Sequence, residues 1–454
     1  MEASRLPAGT LHVPKSASTG RSRVLAEILS AAVVGVDGVP VHVEADVAFG
    51  LPSLTIVGLA GSAVQEARER VRSAIRNSGF EVPARRITVN LAPADVPKEG
   101  TGHDLGIAVA ILAASGQLGT GALRRCALVG ELALDGSLRP VPGALALVAA
   151  CRDAGIAEVV VPSASVVEAA TVRGVSIRGA DRLGQVVGHL AGRQELAEAV
   201  PTKLPAWVAP PGVPDLAEVS GQRLARRALE IAIAGGHSLA LTGPPGIGKT
   251  LLLRAAESLM PPLDETEAIE VSRIHSVAGL LDRREPILRR APFRAPHHSV
   301  SLQALVGGGT RIRPGEASLA HRGALLLDEM LQFRADALEA LRQPLEAGTV
   351  SIARVEGAVT LPARFMLLAA FNPCPCGWLG SRSRTCTCDE GTARRYAARL
   401  SGPLRDRLDL WVRMDEPASG PAWPGRSPDG QEPSAPVARR IARARERQES
   451  RGGG

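Results

Sequence analysis

The segment that most limits how this chain can fold runs through Gly243, Pro244, Pro245, Gly246, Ile247, Gly248, Lys249 and Thr250. It fits G-x-x-x-x-G-K-T, follows the apolar run Ser238 to Thr242, and opens a helical pattern from Leu251 to Leu259. Glycines let backbone N–H groups turn inward around phosphate oxygens, and the helix start adds positive potential. A chain built around this loop needs a buried strand before it and a helix after it, so the expected class is α/β with helices covering a mostly parallel sheet. Residues Gly243 to Leu251 are the expected nucleotide contacts, with Lys249 reaching the β- and γ-phosphates and Thr250 ligating Mg²⁺. A glycine-rich turn that only happens to precede a helix is the competing reading.

Two further apolar runs end in polar residues. Ala324 to Leu327 leads into Asp328 and Glu329, as suits a buried parallel strand whose tip meets a nucleotide. Asp328 would help hold Mg²⁺ and Glu329 would orient and polarise the attacking water, unless the pair is an acidic helix cap. Phe365 to Phe371 ends in Asn372, an amide able to bond a γ-phosphate or its water without adding charge. A turn-forming Asn before Pro373 explains the same residue. In Ser401 to Leu410, two arginines, Arg405 and Arg407, flank Asp406. An arginine acting on a phosphoryl group from a neighbouring subunit and a structural ion pair both fit there.

These elements, in this order, resemble the AAA+ ATPases, and specifically the magnesium chelatase-like YifB/ComM family. Supporting stretches are Phe293 to Ser299 (FRAPHHS), Leu305 to Thr310 (LVGGGT), Pro314 to His321 (PGEASLAH) and Ala370 to Gly377 (AFNPCPCG). The N-terminal half matches through Gly50 to Gly58, Glu66 to Ile75 and Asn90 to Asp95, so the resemblance spans about residues 24 to 415. It implies a nucleotide-driven hexameric ring binding ATP and Mg²⁺, with catalytic Lys249, Glu329 and Asn372 and with Arg407 as an arginine finger in trans. It also implies a hairpin over residues 348–361. Members similar to competence protein ComM act on single-stranded or branched DNA, driving branch migration, and Arg311, Arg313 and Arg354 would then meet backbone phosphates. A solvated arginine face is the alternative for each. A metal-insertion motor of the chelatase kind and a catalytically impaired binding remnant are the competing functions.

The resemblance divides the chain into a disordered extension (1–23), a Lon-like, ChlI-type N-terminal α+β domain (24–200), a proline-rich linker (201–215) and an AAA+ domain (216–415). A second linker (416–436) and the first part of a C-terminal lid (437–454) follow. Departures from the family are Met330 to Phe333, where relatives carry Leu-Pro-Glu-Phe, Arg405 in place of an aliphatic residue, and a lid matched only over its first helix. A shortened lid would couple hydrolysis poorly.

Lon-type proteolysis needs a serine activated by a lysine. The corresponding stretches, Lys98 to Leu105 and Gly143 to Ala150, contain no serine and no suitably placed lysine. Thr101 and His103 offer a nucleophile and a base that nothing completes, so the domain is expected to be non-proteolytic and to serve assembly or DNA contact.

Cys126 and Cys151 lie in apolar segments and read as core, whereas Cys374, Cys376, Cys386 and Cys388 form two C-x-C pairs in one loop. Four thiolates can close a structural Zn²⁺ site, and four free thiols in a reducing compartment are the alternative. Six cysteines in 454 residues give no disulfide framework. The formal charge of +7 favours a polyanionic partner. No apolar run of membrane-spanning length occurs, and the polar start lacks a signal-peptide core, so a cytoplasmic protein is expected.

Overall fold

The computed structural model describes residues 25–58, 61–98, 100–206, 208, 211–282, 284–309, 312–354, 357–416 and 432–452. The expected extension at 1–23, most of the expected linker at 416–436, and Arg311 lie outside the described residues, as does the side chain of Arg354.

Two sheets organise the chain. The first has seven strands, ordered Ser53–Val57, Arg86–Ala92, Asp37–Ala48, Ala26–Val34, Cys126–Leu128, Glu158–Pro162 and Ser176–Ala180. Ala26–Val34, Asp37–Ala48 and Arg86–Ala92 pair antiparallel, while the other neighbours run parallel. Period-two alternation sends Ile28, Val41, Val43 and Val89 to one core, with Leu29, Ala31, Val159 and Val161 facing a second. Helix Asp104–Ala114 is apolar all round and every residue in it is buried, as such a helix must be. Cys126 and Cys151 are core residues.

The second sheet has five strands, all parallel, ordered Phe293–Arg294, Ala324–Leu327, Met366–Phe371, Leu239–Thr242 and Leu410–Arg413. Both faces are covered. Leu239, Leu241, Leu326, Leu368 and Val412 point into one core, and Ala240, Leu325, Leu327, Leu367 and Ala369 into the other. This two-sided burial explains why these strands read as unbroken apolar runs instead of alternating ones. Their order in the sheet and common direction place the residues that follow three adjacent strands, Asp328, Asn372 and Gly243, side by side at one end of the sheet. The register sets Thr242 opposite Phe371 and Leu327 opposite Ala369.

Several element boundaries differ from expectation. The helix after the loop begins at Lys249 and ends at Ala255, and a 3₁₀ turn, Ala256–Ser258, replaces its last turn. The C-terminal helix starts at Ser434, inside the stretch read as linker, and runs to Ser450. Its early start has a physical cause. The Ser434 amide donates to Asp215 at 3.1 Å and its hydroxyl accepts from the Leu216 amide at 2.8 Å. Val437 and Ile441 then enter the core beside helix Arg223–Gly235, and Arg440 pairs with Glu230 at 2.8 Å. The proline-rich stretch at 201–215 is also tied down, since Thr202 donates to Ala170 and Arg289 to Pro205.

The two sheets meet through specific contacts. The Gly143 amide donates to the Ser276 carbonyl at 3.1 Å, and Arg273 pairs with Asp37 at 2.9 Å. Val36, in the turn between the first two strands, is buried in a core of the second sheet. The hairpin Thr349–Arg354 with Gly357–Pro362 approaches that turn closely, since a Cβ on Gly35 would stand 2.6 Å from Cγ1 of Val359.

Leu368 is fully buried on the strand between the loop strand and the acidic strand. Truncation by Leu368→Ala is expected to cost about 2–5 kcal/mol of unfolding free energy. Denaturant titration followed by far-UV circular dichroism measures it.

Candidate functional site

Strand Leu239–Thr242 delivers the loop. Gly243 is required because a Cβ there would run into the Met414 carbonyl and stand 2.6 Å from Cδ1 of Ile247. Gly248 takes φ +90, where a side chain would be strained, and leaves open space around it. Beneath the loop lies the Lys249 side chain, buried to 8% exposure. Its ammonium donates to the carbonyls of Gly243 at 2.8 Å and Pro244 at 2.7 Å, and to Oδ1 of Asn372 at 3.1 Å. Burial pushes its pKa down to about 8, against the pull of Asp328 and Glu329. Pro245 and Gly246 form the exposed crest of the loop, Ile247 and Leu251 pack partly into the core below it, and Leu252 and Leu253 are buried.

The Thr250 hydroxyl lies 2.9 and 3.1 Å from the two carboxylate oxygens of Asp328. One residue on, Glu329 adopts φ +50, a strained backbone for a non-glycine residue, and its amide bonds the Asp328 carboxylate at 3.0 Å. That turn leaves the Glu329 side chain half exposed above the strand tips, facing His298 at 4.0 Å. The structure thus brings Lys249, Thr250, Asp328, Glu329 and Asn372 to one end of the sheet.

Arg407 is placed elsewhere. It pairs with Glu346 at 2.8 Å and is about 41% exposed, while Arg405 stacks over Trp411. Neither pairs with Asp406. Arg313 is exposed at the end of a short two-stranded ribbon. His298 is a site neighbour that the sequence does not single out. It belongs to the FRAPHHS stretch, but nothing local in the chain connects it to residue 329.

Thr101 and His103 do not meet. Thr101 donates to Glu131, and the buried His103 faces the Ser30 hydroxyl at 3.1 Å, its pKa pushed down to about 4 by burial and by nearby Lys98. Asp104 is occupied by Arg70 at 2.8 Å. A separate cavity of about 510 Å³, lined by Met260, Arg322, Glu346, Arg364 and Arg445, opens at the opposite ends of the strands from the loop.

The four loop cysteines converge. Sγ of Cys374 lies 3.4 Å from Cys376 and 3.7 Å from Cys386, and Cys376 lies 3.5 Å from Cys386. With Cys388 included, all four sulfurs fall within 4.8 Å of one another. Tetrahedral thiolate coordination at about 2.3 Å requires sulfur separations of about 3.8 Å, so the set fits a zinc-sized ion. Amides of Trp378 and Thr387 hold the Cys376 thiol down to about 5. For the hard ion Mg²⁺, the hydroxyl and carboxylate of Thr250 and Asp328 are oxygen donors of the right kind.

Known proteins resemble this chain over most of its length. The family profile "Magnesium chelatase, subunit ChlI" matches residues 215–420, and "Subunit ChlI of Mg-chelatase" matches residues 43–165. The chain is 46% identical over 423 residues to the uncharacterized protein Rv2897c of Mycobacterium tuberculosis, covering 93% of this chain and 82% of that one. YifB of Escherichia coli is 45% identical over 421 residues (92% and 81%), and the competence protein ComM of Haemophilus influenzae 42% over 433 residues (94% and 84%). The fold and its loop define an AAA+ ATPase of the magnesium chelatase type, with a Lon-peptidase-like α+β body before the ATPase core. The chain belongs to the YifB/ComM family. That membership implies ATP and Mg²⁺ as ligands. Among the described residues, no helix is long and apolar enough to cross a membrane.

The low pKa of Lys249 has a pH consequence. Below about 8 the free site carries its ammonium; above it the amine is neutral and a bound triphosphate must recover a proton. ATP affinity is therefore expected to hold below pH 8 and to fall by about tenfold per unit above it. Calorimetry in buffers of different ionisation enthalpy checks both the affinity and the proton uptake.

Proposed function

We propose that this protein hydrolyses ATP as part of a ring and uses the cycle to remodel single-stranded or branched DNA, driving branch migration. The observation that carries the proposal is the convergence of Lys249, Thr250, Asp328 and Asn372 at the tips of three adjacent parallel strands. Residues 243–251 would grip the triphosphate through backbone amides, with the Lys249 ammonium turning from the loop carbonyls to the β- and γ-phosphates. Thr250 and Asp328 would hold Mg²⁺, which supplies charge neutralisation on the phosphates when bound. Glu329 would accept a proton from the attacking water, and its half-exposed carboxylate has the freedom to do so. Asn372, already hydrogen-bonded to Lys249, would orient the γ-phosphate or that water without adding charge.

Arg407 would act on the site of a neighbouring subunit. Its exposure, and an ion pair with Glu346 that is its one such pair among the described residues, leave it available to a partner surface. A head-to-tail ring, here a hexamer, is the assembly such a residue serves. The hairpin over residues 349–362, which carries Arg354, would meet DNA phosphates in the ring's channel, together with Arg311 and Arg313. The body before residue 201 is proposed to be non-proteolytic, since Thr101, His103 and Asp104 are each engaged with other partners. The residues from 216 to 415 form the motor, and the helix from Ser434 begins its lid. Cytoplasmic residence accords with the free cysteines, which suit a reducing compartment.

Metal insertion into a porphyrin is the second reading, favoured by the family profile's own description. ATP-dependent metal insertion on adding porphyrin and a partner subunit, with no response to DNA, would replace the first reading.

ATP turnover with and without branched DNA tests the proposal. Lys249→Ala is expected to weaken ATP binding by roughly 10- to 100-fold, the loss of a charge-assisted hydrogen bond. Glu329→Gln should keep binding and lose at least about a hundredfold in kcat. Arg407→Ala should keep binding and lose on the order of a thousandfold in kcat, with activity restored in mixed rings. Equal turnover with and without DNA would reject the DNA role.

A further inference from the structure

The cysteine loop has a neighbour that its own sequence does not reveal. Cys374 follows Asn372 by two residues and is fully buried. Gly377 turns at φ +83 and donates its amide to the Cys374 carbonyl at 3.0 Å. There it lies directly on the phosphate loop: a Cβ at 377 would stand 2.8 Å from Cδ of Pro245 and 3.7 Å from Cγ of Asn372. Asn372 in turn accepts from Lys249 at 3.1 Å.

The other end of the loop is stapled to the exit of strand Leu410–Arg413. Arg413 donates to the Gly380 carbonyl at 2.8 Å, and the Ser381 hydroxyl and the Arg382 and Ser383 amides donate to the Glu416 carboxylate at 2.8, 2.9 and 2.9 Å. The next residue along that strand, Met414, presents the carbonyl that backs Gly243. The loop therefore braces the nucleotide site from both sides. It has little core with which to do so. Between residues 374 and 389 only Cys374 and Gly377 are buried, and helix Glu390–Ala397 that follows buries none of its residues. A loop of this length without a packed interior needs a cross-link to keep one shape.

We propose that a zinc-class divalent ion held by Cys374, Cys376, Cys386 and Cys388 positions Pro245 and Asn372, so that metal occupancy of this loop sets the affinity of the phosphate loop for nucleotide. Metal binding releases the remaining thiol protons to solvent and involves no redox step. The cysteines are positioning residues; they touch neither nucleotide nor the reacting atoms. The affinity statement rests on the ATPase reading above, whereas the bracing of the phosphate loop does not.

The experiment uses the full chain in two forms, zinc-loaded and stripped with a chelator, with zinc counted by mass spectrometry. Hydrogen exchange is followed in the peptide spanning residues 239–255 and, as a control for global folding, in residues 104–114. One zinc per chain is expected, and stripping should speed exchange in the first peptide and leave the second unchanged. Affinity for a fluorescent ATP analogue should fall on the order of tenfold, as it does when a supporting shell is lost. Cys386→Ser should behave like the stripped chain. Gly377→Ala should keep its zinc and still weaken nucleotide binding, because its methyl group displaces Pro245. Absence of zinc from the loaded chain overturns the metal site, and bound zinc with identical exchange in residues 239–255 overturns the bracing. A zinc-loaded wild type that fails to bind nucleotide overturns the ATPase reading alone, since the exchange comparison still decides the rest.

Discussion

Everything at the candidate site turns on one desolvated ammonium. Lys249 sits beneath a loop whose carbonyls it caps, and it reaches across to the neighbouring strand to bond Asn372. An ammonium in that position is costly unless each of its donors has an acceptor. In the chain described here the acceptors are two loop carbonyls and one amide oxygen. A triphosphate offers better, charged acceptors, and the low pKa of the lysine expresses the same imbalance. The site is thus held in a form that an anion can displace, with the sheet fixing where that anion must lie.

The same sheet explains why the site is not an isolated loop. Two-sided burial of five parallel strands leaves little freedom to slide, so the strand tips keep their relative heights. Asp328 and Asn372 inherit that precision without contributing to it. Glu329 departs from it, leaving the strand through a left-handed turn that lifts its carboxylate towards His298. Strain of that kind persists only where the surroundings enforce it, here the buried Met330, Leu331 and Phe333 immediately after.

Coupling between the two bodies is built from small contacts, some buried and some, such as the Arg273–Asp37 pair, open to solvent. Glu168 is partly buried where they meet, accepting from the Leu145 amide at 2.9 Å and from the Ser276 hydroxyl, and desolvation raises its pKa. Val36 enters the ATPase core, and the hairpin rests beside the same turn. A movement of the hairpin would therefore be felt in the first sheet.

Much of this was legible in the chain of residues. The G-x-x-x-x-G-K-T run between an apolar strand and a helix dictates its own geometry, because glycine is needed where a Cβ would strike Met414 and where φ is positive. Apolar runs ending in Asp328 and Asn372 announced buried strands with polar tips, since only strands covered on both faces need no alternation. The family resemblance supplied the order of the parts. Other facts had no local signature and were settled only by packing. The start of the last helix at Ser434 depends on Asp215, more than two hundred residues away. The meeting of His298 with Glu329, the engagement of Arg407 by Glu346, and the seat of Gly377 on Pro245 likewise join segments that the chain keeps apart. Sequence fixes what each segment can be, through periodicity and backbone sterics that act over a few residues. Only the folded sheet, which sets distant strand ends at a common height, decides which of those segments touch.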